Sequence, residues 1–108
     1  MNRYTIAGII EDAVQGNVVG VLMPNRGDVP DLLDAATQHP AIKKVVRTYG
    51  NEKVEFTSGG RIILFHSVQA VRGYMFDIFV IDDDVLRSSR VRADIVPCLL
   101  PDGEMVRL

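Results

Sequence analysis

Residues 76–84 read FDIFVIDDD, in which Phe76, Ile78, Phe79, Val80 and Ile81 form an almost unbroken apolar run before Asp82, Asp83 and Asp84. A run without alternation describes a strand covered on both faces rather than one with a wet side. The stretch NVVGVLMP at residues 17–24 has the same character and is stopped by Pro24. Two such strands require helices to cover them, and the chain supplies candidates. Thr5 can cap a helix whose apolar residues Ile6, Ile9, Ile10, Ala13 and Val14 recur at helical spacing, with Gly16 as its stop. Asp28 can cap a second helix with Pro30 and Asp31 in its first turn, running through Leu32, Leu33, Ala35 and Ala36 until Pro40. In PAIKKVVRTYG, residues 40–50, Ile42, Val45, Val46 and Tyr49 share a helical face and predict a third, short helix stopped by Gly50.

Between residues 53 and 65 the period changes to alternation, in KVEFTSGGRIILF. A two-residue turn at Gly59-Gly60 predicts a hairpin with Phe56 opposite Ile63 and Val54 opposite Phe65. The tail holds a candidate short helix after Asp84, the apolar IVPCLL, a turn at Pro101-Asp102-Gly103 and a last strand EMVRL. The expected fold is a single α/β domain over residues 1–108: a small, mainly parallel sheet with an antiparallel hairpin, helices on both faces, and residues 76–81 as its central strand. An α+β arrangement around the same hairpin is the alternative.

Composition narrows the function classes. A chain of 108 residues with 47% hydrophobic content makes one core, and a formal net charge of −2 gives no global field for polyanions. Its one cysteine, Cys98, allows neither an internal disulfide nor a cysteine-based zinc cluster. No apolar run approaches the roughly 20 residues that span a bilayer, and the opening MNRYTIAGIIEDAV lacks a signal-peptide pattern, so no membrane partner and a cytoplasmic location are expected.

Three acids at the end of an apolar strand have the form of a Walker B segment, in which Asp82 would meet hydrated magnesium and Asp83 would orient water. The same acids would equally serve to bring a buried strand into solvent. The order of features extends this pattern. A helix, the strand NVVGVLMPN, a helix from Asp28, the hairpin VEFTSGGRIILF, the loop VRG with Arg72-Gly73, and then FDIFVIDDD resemble the ATPase core of phage large terminases and related helicase-like P-loop proteins. The resemblance spans residues 5–108 and is best over residues 54–84. It implies a P-loop-like core, with Asp82 and Asp83 as the metal-side acids and, for a phage-encoded protein, the host cytoplasm as its location.

The chain departs from that family where phosphate would bind. A phosphate loop needs Gly-x-x-x-x-Gly-Lys-Ser/Thr, because backbone N–H groups cradle the phosphates while the lysine balances their charge. No Gly-Lys pair occurs in these 108 residues. Met1 to Thr5 aligns with the end of that motif, so the first strand and phosphate loop are expected to be missing, with Thr5 as the remnant. Without that cradle the acids would repel a polyphosphate. The expectation is therefore no catalysis, no catalytic residue and no cofactor, magnesium at Asp82 and Asp83 being the one candidate.

His39 and His66 lack the spacing of zinc ligands and read as a helix-end and a strand-end residue. Cys98 in VPCLL reads as a buried thiol, and Ser58 and Ser67 have no triad companions. Arg87, Arg90 and Arg92 in LRSSRVR, with Arg72, form a candidate contact for nucleic acid or an acidic partner, or simply a solvated face. The functional expectation is a noncatalytic interaction or regulatory module that binds a protein partner or itself. Its alternatives are an ATPase fragment completed by a partner chain and a DNA-associated accessory protein.

Overall fold

The computed structural model describes residues 2–22, 27–48, 50–81 and 93–107. Helix α1 (Arg3–Val14) starts three residues earlier than the Thr5 cap predicts, because Asn2 takes that role: its Oδ1 accepts the Thr5 N–H at 2.9 Å. Ile6, Ile9, Ile10 and Ala13 form its buried stripe, and Gly16, at φ 103°, supplies the left-handed turn that ends it. After β1 (Val18–Leu22), α2 (Asp28–Thr37) buries Val29, Leu32, Leu33 and Ala36. Asp28 is the first helical residue rather than the cap, which falls at Gly27.

The remaining elements are β2 (Ile42–Val46), β3 (Lys53–Phe56), β4 (Arg61–Phe65), a 3-10 turn (Val68–Val71), β5 (Phe76–Ile81), a second 3-10 turn (Val96–Cys98) and β6 (Leu99–Arg107). They build one six-stranded mixed sheet in the order β2-β3-β4-β1-β5-β6. β4, β1, β5 and β6 run parallel, while β2, β3 and β4 form an antiparallel meander. The α/β class with a mainly parallel sheet is therefore present. Its interior differs from expectation: β1, flanked by β4 and β5, takes the centre, and β5 lies one strand from the edge. β5 is still buried on both faces, with Ile78 and Val80 toward the helices and Phe76, Phe79 and Ile81 toward the other side, which explains its continuous apolar run.

Gly20 shows how closely the layers approach there. A Cβ at this position would lie 2.7 Å from both the Phe76 and Phe79 rings, so only glycine lets these aromatics cross the central strand. Each ring is fully buried.

Both α-helices pack on one face, with Val19, Val21, Val54, Phe56, Ile62 and Leu64 beneath them. Among the described residues the other face is covered by the first 3-10 turn and by residues 93–98, α-helical over 93–95 and 3-10 from Val96, through Val71, Ile95 and Cys98 packed with Phe65, Phe76, Phe79 and Ile81.

The helix predicted over residues 40–50 is a strand, β2, antiparallel to β3. A bulge between Ile42 and Lys44 shifts the alternation by one residue, so Ile42 and Val45 face the core at a spacing that mimics a helix. The β-branched Ile42, Val45 and Val46 suit the extended backbone. Tyr49 lies outside the described residues.

The hairpin forms in a different register, with Val54 opposite Ile62 and Lys53 opposite Ile63. Its loop is Thr57-Ser58-Gly59, closed by the Phe56 N–H on the Gly60 carbonyl at 2.9 Å, with Gly59 at φ 91°. Ile62 and Leu64 therefore face the helices, and Ile63 and Phe65 face the other side. In the tail, the turn expected at Pro101-Asp102-Gly103 is an irregularity within β6. Phe76 pairs with Leu99 and Ile78 with Glu104, leaving extra residues between.

Candidate functional site at the carboxyl end of the parallel strands

Ligands of parallel α/β sheets bind where the strands end. The register sets four ends side by side: Phe65 of β4 beside Leu22 of β1, and Arg107 of β6 beside Ile81 of β5, with Val21 paired to Val80 one residue before. Chain segments leaving β1, β4 and β5 therefore emerge along one rim. Asp82 and Asp83, assigned to magnesium by the resemblance, follow Ile81 directly and lie outside the described residues. So do Asp84, the arginines Arg87, Arg90 and Arg92, and the MPN segment at residues 23–25.

The described part of this rim centres on a pair that has no signature in the sequence. His66 follows β4, as a strand-end residue should, and its Nε2 lies 2.8 Å from Glu52 Oε2. Glu52 is the one buried charged residue among those described, only 4% exposed. Burial opposes its charge. The His66 hydrogen bond and the neighbouring backbone N–H groups of Glu52 and Gly50 outweigh that opposition, so its carboxyl is held below its ordinary value. The Leu64 N–H donates to the Glu52 carbonyl at 3.1 Å, which carries the β3–β4 ladder one step past the hairpin strands. The pair thus clamps the open end of the hairpin. Its only trace in the sequence is that both residues sit just beyond the alternating strands.

Beside His66 is a cavity of about 180 Å³ lined by Gly50, Phe65, Ser67, Ala70 and Tyr74. That is below the roughly 300 Å³ at which small-molecule pockets begin. An imidazole oriented by a buried carboxylate can hold or move a proton. Among the described residues no group of three or more His, Cys, Asp or Glu is arranged to hold a metal ion.

The remaining candidates have structural partners. Arg72, 70% exposed at its side chain, pairs with Asp94 at 3.3 Å. His39 closes the end of α2, its Nδ1 accepting the Ala41 N–H at 3.0 Å and its ring meeting Phe56 edge-on. Cys98 is buried, its Sγ directed at the Val71 and Asp94 carbonyls. Ser58 Oγ donates to the Ala13 carbonyl and accepts the Gly60 N–H, while Ser67 precedes a 3-10 turn without capping it. Thr5 lies in the first turn of α1, its N–H taken by Asn2. Asp77 is bonded to the sheet itself, its Oδ2 accepting the Val18 N–H at 2.8 Å.

Among the described residues no helix is long and apolar enough to cross a membrane. Comparison with protein-family models and with curated proteins finds no match to this chain.

Proposed function

We propose that this chain is a noncatalytic interaction module on a P-loop-like core, and that it pairs with a second copy of itself along β6. One observation carries the reading: the two edges of the sheet differ. β2 presents exposed Lys43 and Lys44 and a bulge, the features that discourage strand addition. β6 pairs with β5 on one side, and among the described residues no strand pairs with its other side. Pro101 and the irregularity of β6 fall in its first half, whereas its segment Glu104-Met105-Val106 pairs regularly with β5, carries no lysine or proline, and has Met105 and Val106 only partly buried.

An edge of this kind binds through main-chain hydrogen bonds. A second copy is the simplest occupant, because a two-fold axis normal to the sheet sets Met105 against its own counterpart on the same face. The lack of any Gly-Lys pair in the 108 residues supports the noncatalytic half.

Sedimentation velocity over a concentration series, read together with amide exchange of residues 104–106, tests the pairing. Dimer formation with slower exchange in that segment as concentration rises is expected. A monomer throughout, or a dimer whose β6 amides exchange at the monomer rate, overturns it. Phosphate release from ATP by the purified chain tests the other half, and turnover abolished by Asp82→Ala would refute a noncatalytic role.

A further inference from the structure

Among the described residues the exposed cations are not distributed evenly. Arg47 is paired with Asp34 at 2.8 Å, Arg72 with Asp94 at 3.3 Å, and Lys53 with Glu55 at 3.8 Å, while Arg3 lies over the Tyr4 ring at 5.1 Å. Among the described residues, Lys43, Lys44 and Arg61 are exposed with no such partner, and all three belong to the β2-β3-β4 meander.

Register places two of them on one face. Lys44 is opposite Glu55, and Glu55 is opposite Arg61. Residues opposite one another project to the same side. Val54 and Phe56 point to the helices, so this row projects to the opposite side, as does Lys53. Lys43 joins them at the bulge, where it lines a concavity of about 250 Å³ with Glu55, Arg61, Gly59 and Gly60. Four cations therefore share this face of the meander with Glu55, and the next carboxylate along the row, Asp77 on β5, is held by the N–H of Val18, the residue opposite Arg61, in a chain whose formal net charge is −2. Protection of an edge strand accounts for Lys43 and Lys44. It does not account for Arg61, which stands on an interior strand.

We infer that this face of the meander binds a nucleic-acid strand through its phosphodiester backbone, without reading sequence. Two strand spacings separate Lys44 from Arg61, about 10 Å, so the row spreads its charge over successive phosphates rather than gathering it on one. The described part of the face offers no aromatic ring for a base to stack on, which confines recognition to the backbone. The surface lies on the meander half of the sheet, away from β6, so it is independent of self-association.

Fluorescence anisotropy of a labelled DNA duplex titrated with the full chain at several salt concentrations provides the test. Three phosphate contacts predict that log K falls with log salt at a slope of about −2.7, roughly a 40-fold loss from 50 to 200 mM salt. In Lys44→Gln/Arg61→Gln, one contact remains, and the loss over the same range shrinks to roughly fourfold. Arg47→Gln, whose guanidinium is already paired, should behave as the parent, and circular dichroism establishes that each variant is folded. No binding at low salt, or binding that the double variant leaves unchanged, overturns the inference. Equal affinity for polyglutamate also overturns it and assigns the face to an acidic protein.

Discussion

Alanine at position 60 would put a Cβ 1.6 Å from the Ala13 carbonyl oxygen and 3.1 Å from that of Asn17. Neither obstacle is a side chain that can swing away, so the hairpin loop would have to lift off the last turn of α1. The bonds at risk are Arg61 N–H to Asn17 O at 3.1 Å, Ser58 Oγ to Ala13 O at 3.3 Å and Phe56 N–H to Gly60 O at 2.9 Å. Losing two or three of these at about 1 kcal/mol each, with some loosening of the buried Ala13 and Phe56, gives roughly 3–4 kcal/mol. A domain of this size holds about 5–15 kcal/mol in all, so Gly60→Ala should fold but melt roughly 15 °C lower.

Two other glycines calibrate that figure. Gly59 has φ 91° with nothing near its Cβ position, so Gly59→Ala should cost only the left-handed backbone term, about 1 kcal/mol. Gly8, exposed in α1 with open space around it, should become more stable as alanine by roughly 0.5–1 kcal/mol. Urea unfolding of the three variants with a common slope gives the ranking. A Gly60→Ala loss under 1 kcal/mol, or one no larger than that of Gly59→Ala, would refute the close docking of the hairpin on α1.

Glu52→Gln should weaken the clamp to His66 by about 1.5–3 kcal/mol at neutral pH, as expected for a lost charge-assisted bond. Because the folded-state pKa of Glu52 is depressed, its contribution is present above the ordinary value of 4.5 and disappears as pH falls through the lowered value. The variant's stability should therefore converge on the parent's in acid, and a constant gap down to low pH would contradict the assignment. Asp12 behaves in the opposite sense. Burial, then Glu104 and Glu11, raise its pKa above 3.8, so its ionisation penalises the folded state at neutral pH. Asp12→Asn should be the more stable protein at pH 7 and lose that advantage below the ordinary value, as urea midpoints across pH would reveal. Asp77→Ala should destabilise by about 1–2 kcal/mol by orphaning the Val18 N–H, and hydrogen exchange should show faster exchange at that amide.

The elements that could be read from the sequence are those whose pattern is set locally. The stripe of α1, the solid apolar runs of β1 and β5, and the alternation of β3 and β4 all reflect burial along a single segment. What could not be read depends on contacts between segments. β2 passed for a helix because its bulge disguises a two-residue period. The hairpin register escapes a local reading because Gly60 is required by the approach of Ala13, a contact 47 positions away in the chain, and not by the turn, which uses Gly59. The place of β5 is beyond a local pattern, because two-sided burial fixes a strand as interior without ordering the interior strands. The Glu52–His66 pair has no spacing signature, since the hairpin between them brings the two residues together. The acids that prompted the Walker B comparison, and the arginines at positions 87, 90 and 92, lie outside the described residues, so the pattern that suggested them stands on sequence alone.

The place of β1 at the centre of the sheet governs the order in which the chain can fold. Its partners are residues 61–65 on one side and 78–80 on the other, both supplied much later in synthesis. A nascent chain that has made α1, β1 and α2 holds an apolar strand with neither lateral neighbour, and the local hairpin can form before that strand is paired. Completion waits for the β4-to-β5 connection to pass over β1, a non-local closure that makes folding slow relative to helical proteins of equal length. In the interval VVGVL is a short, uncharged, β-prone segment of the kind that aggregates when left open. The same centrality that makes β1 the most protected strand in the finished protein makes it the most vulnerable during synthesis.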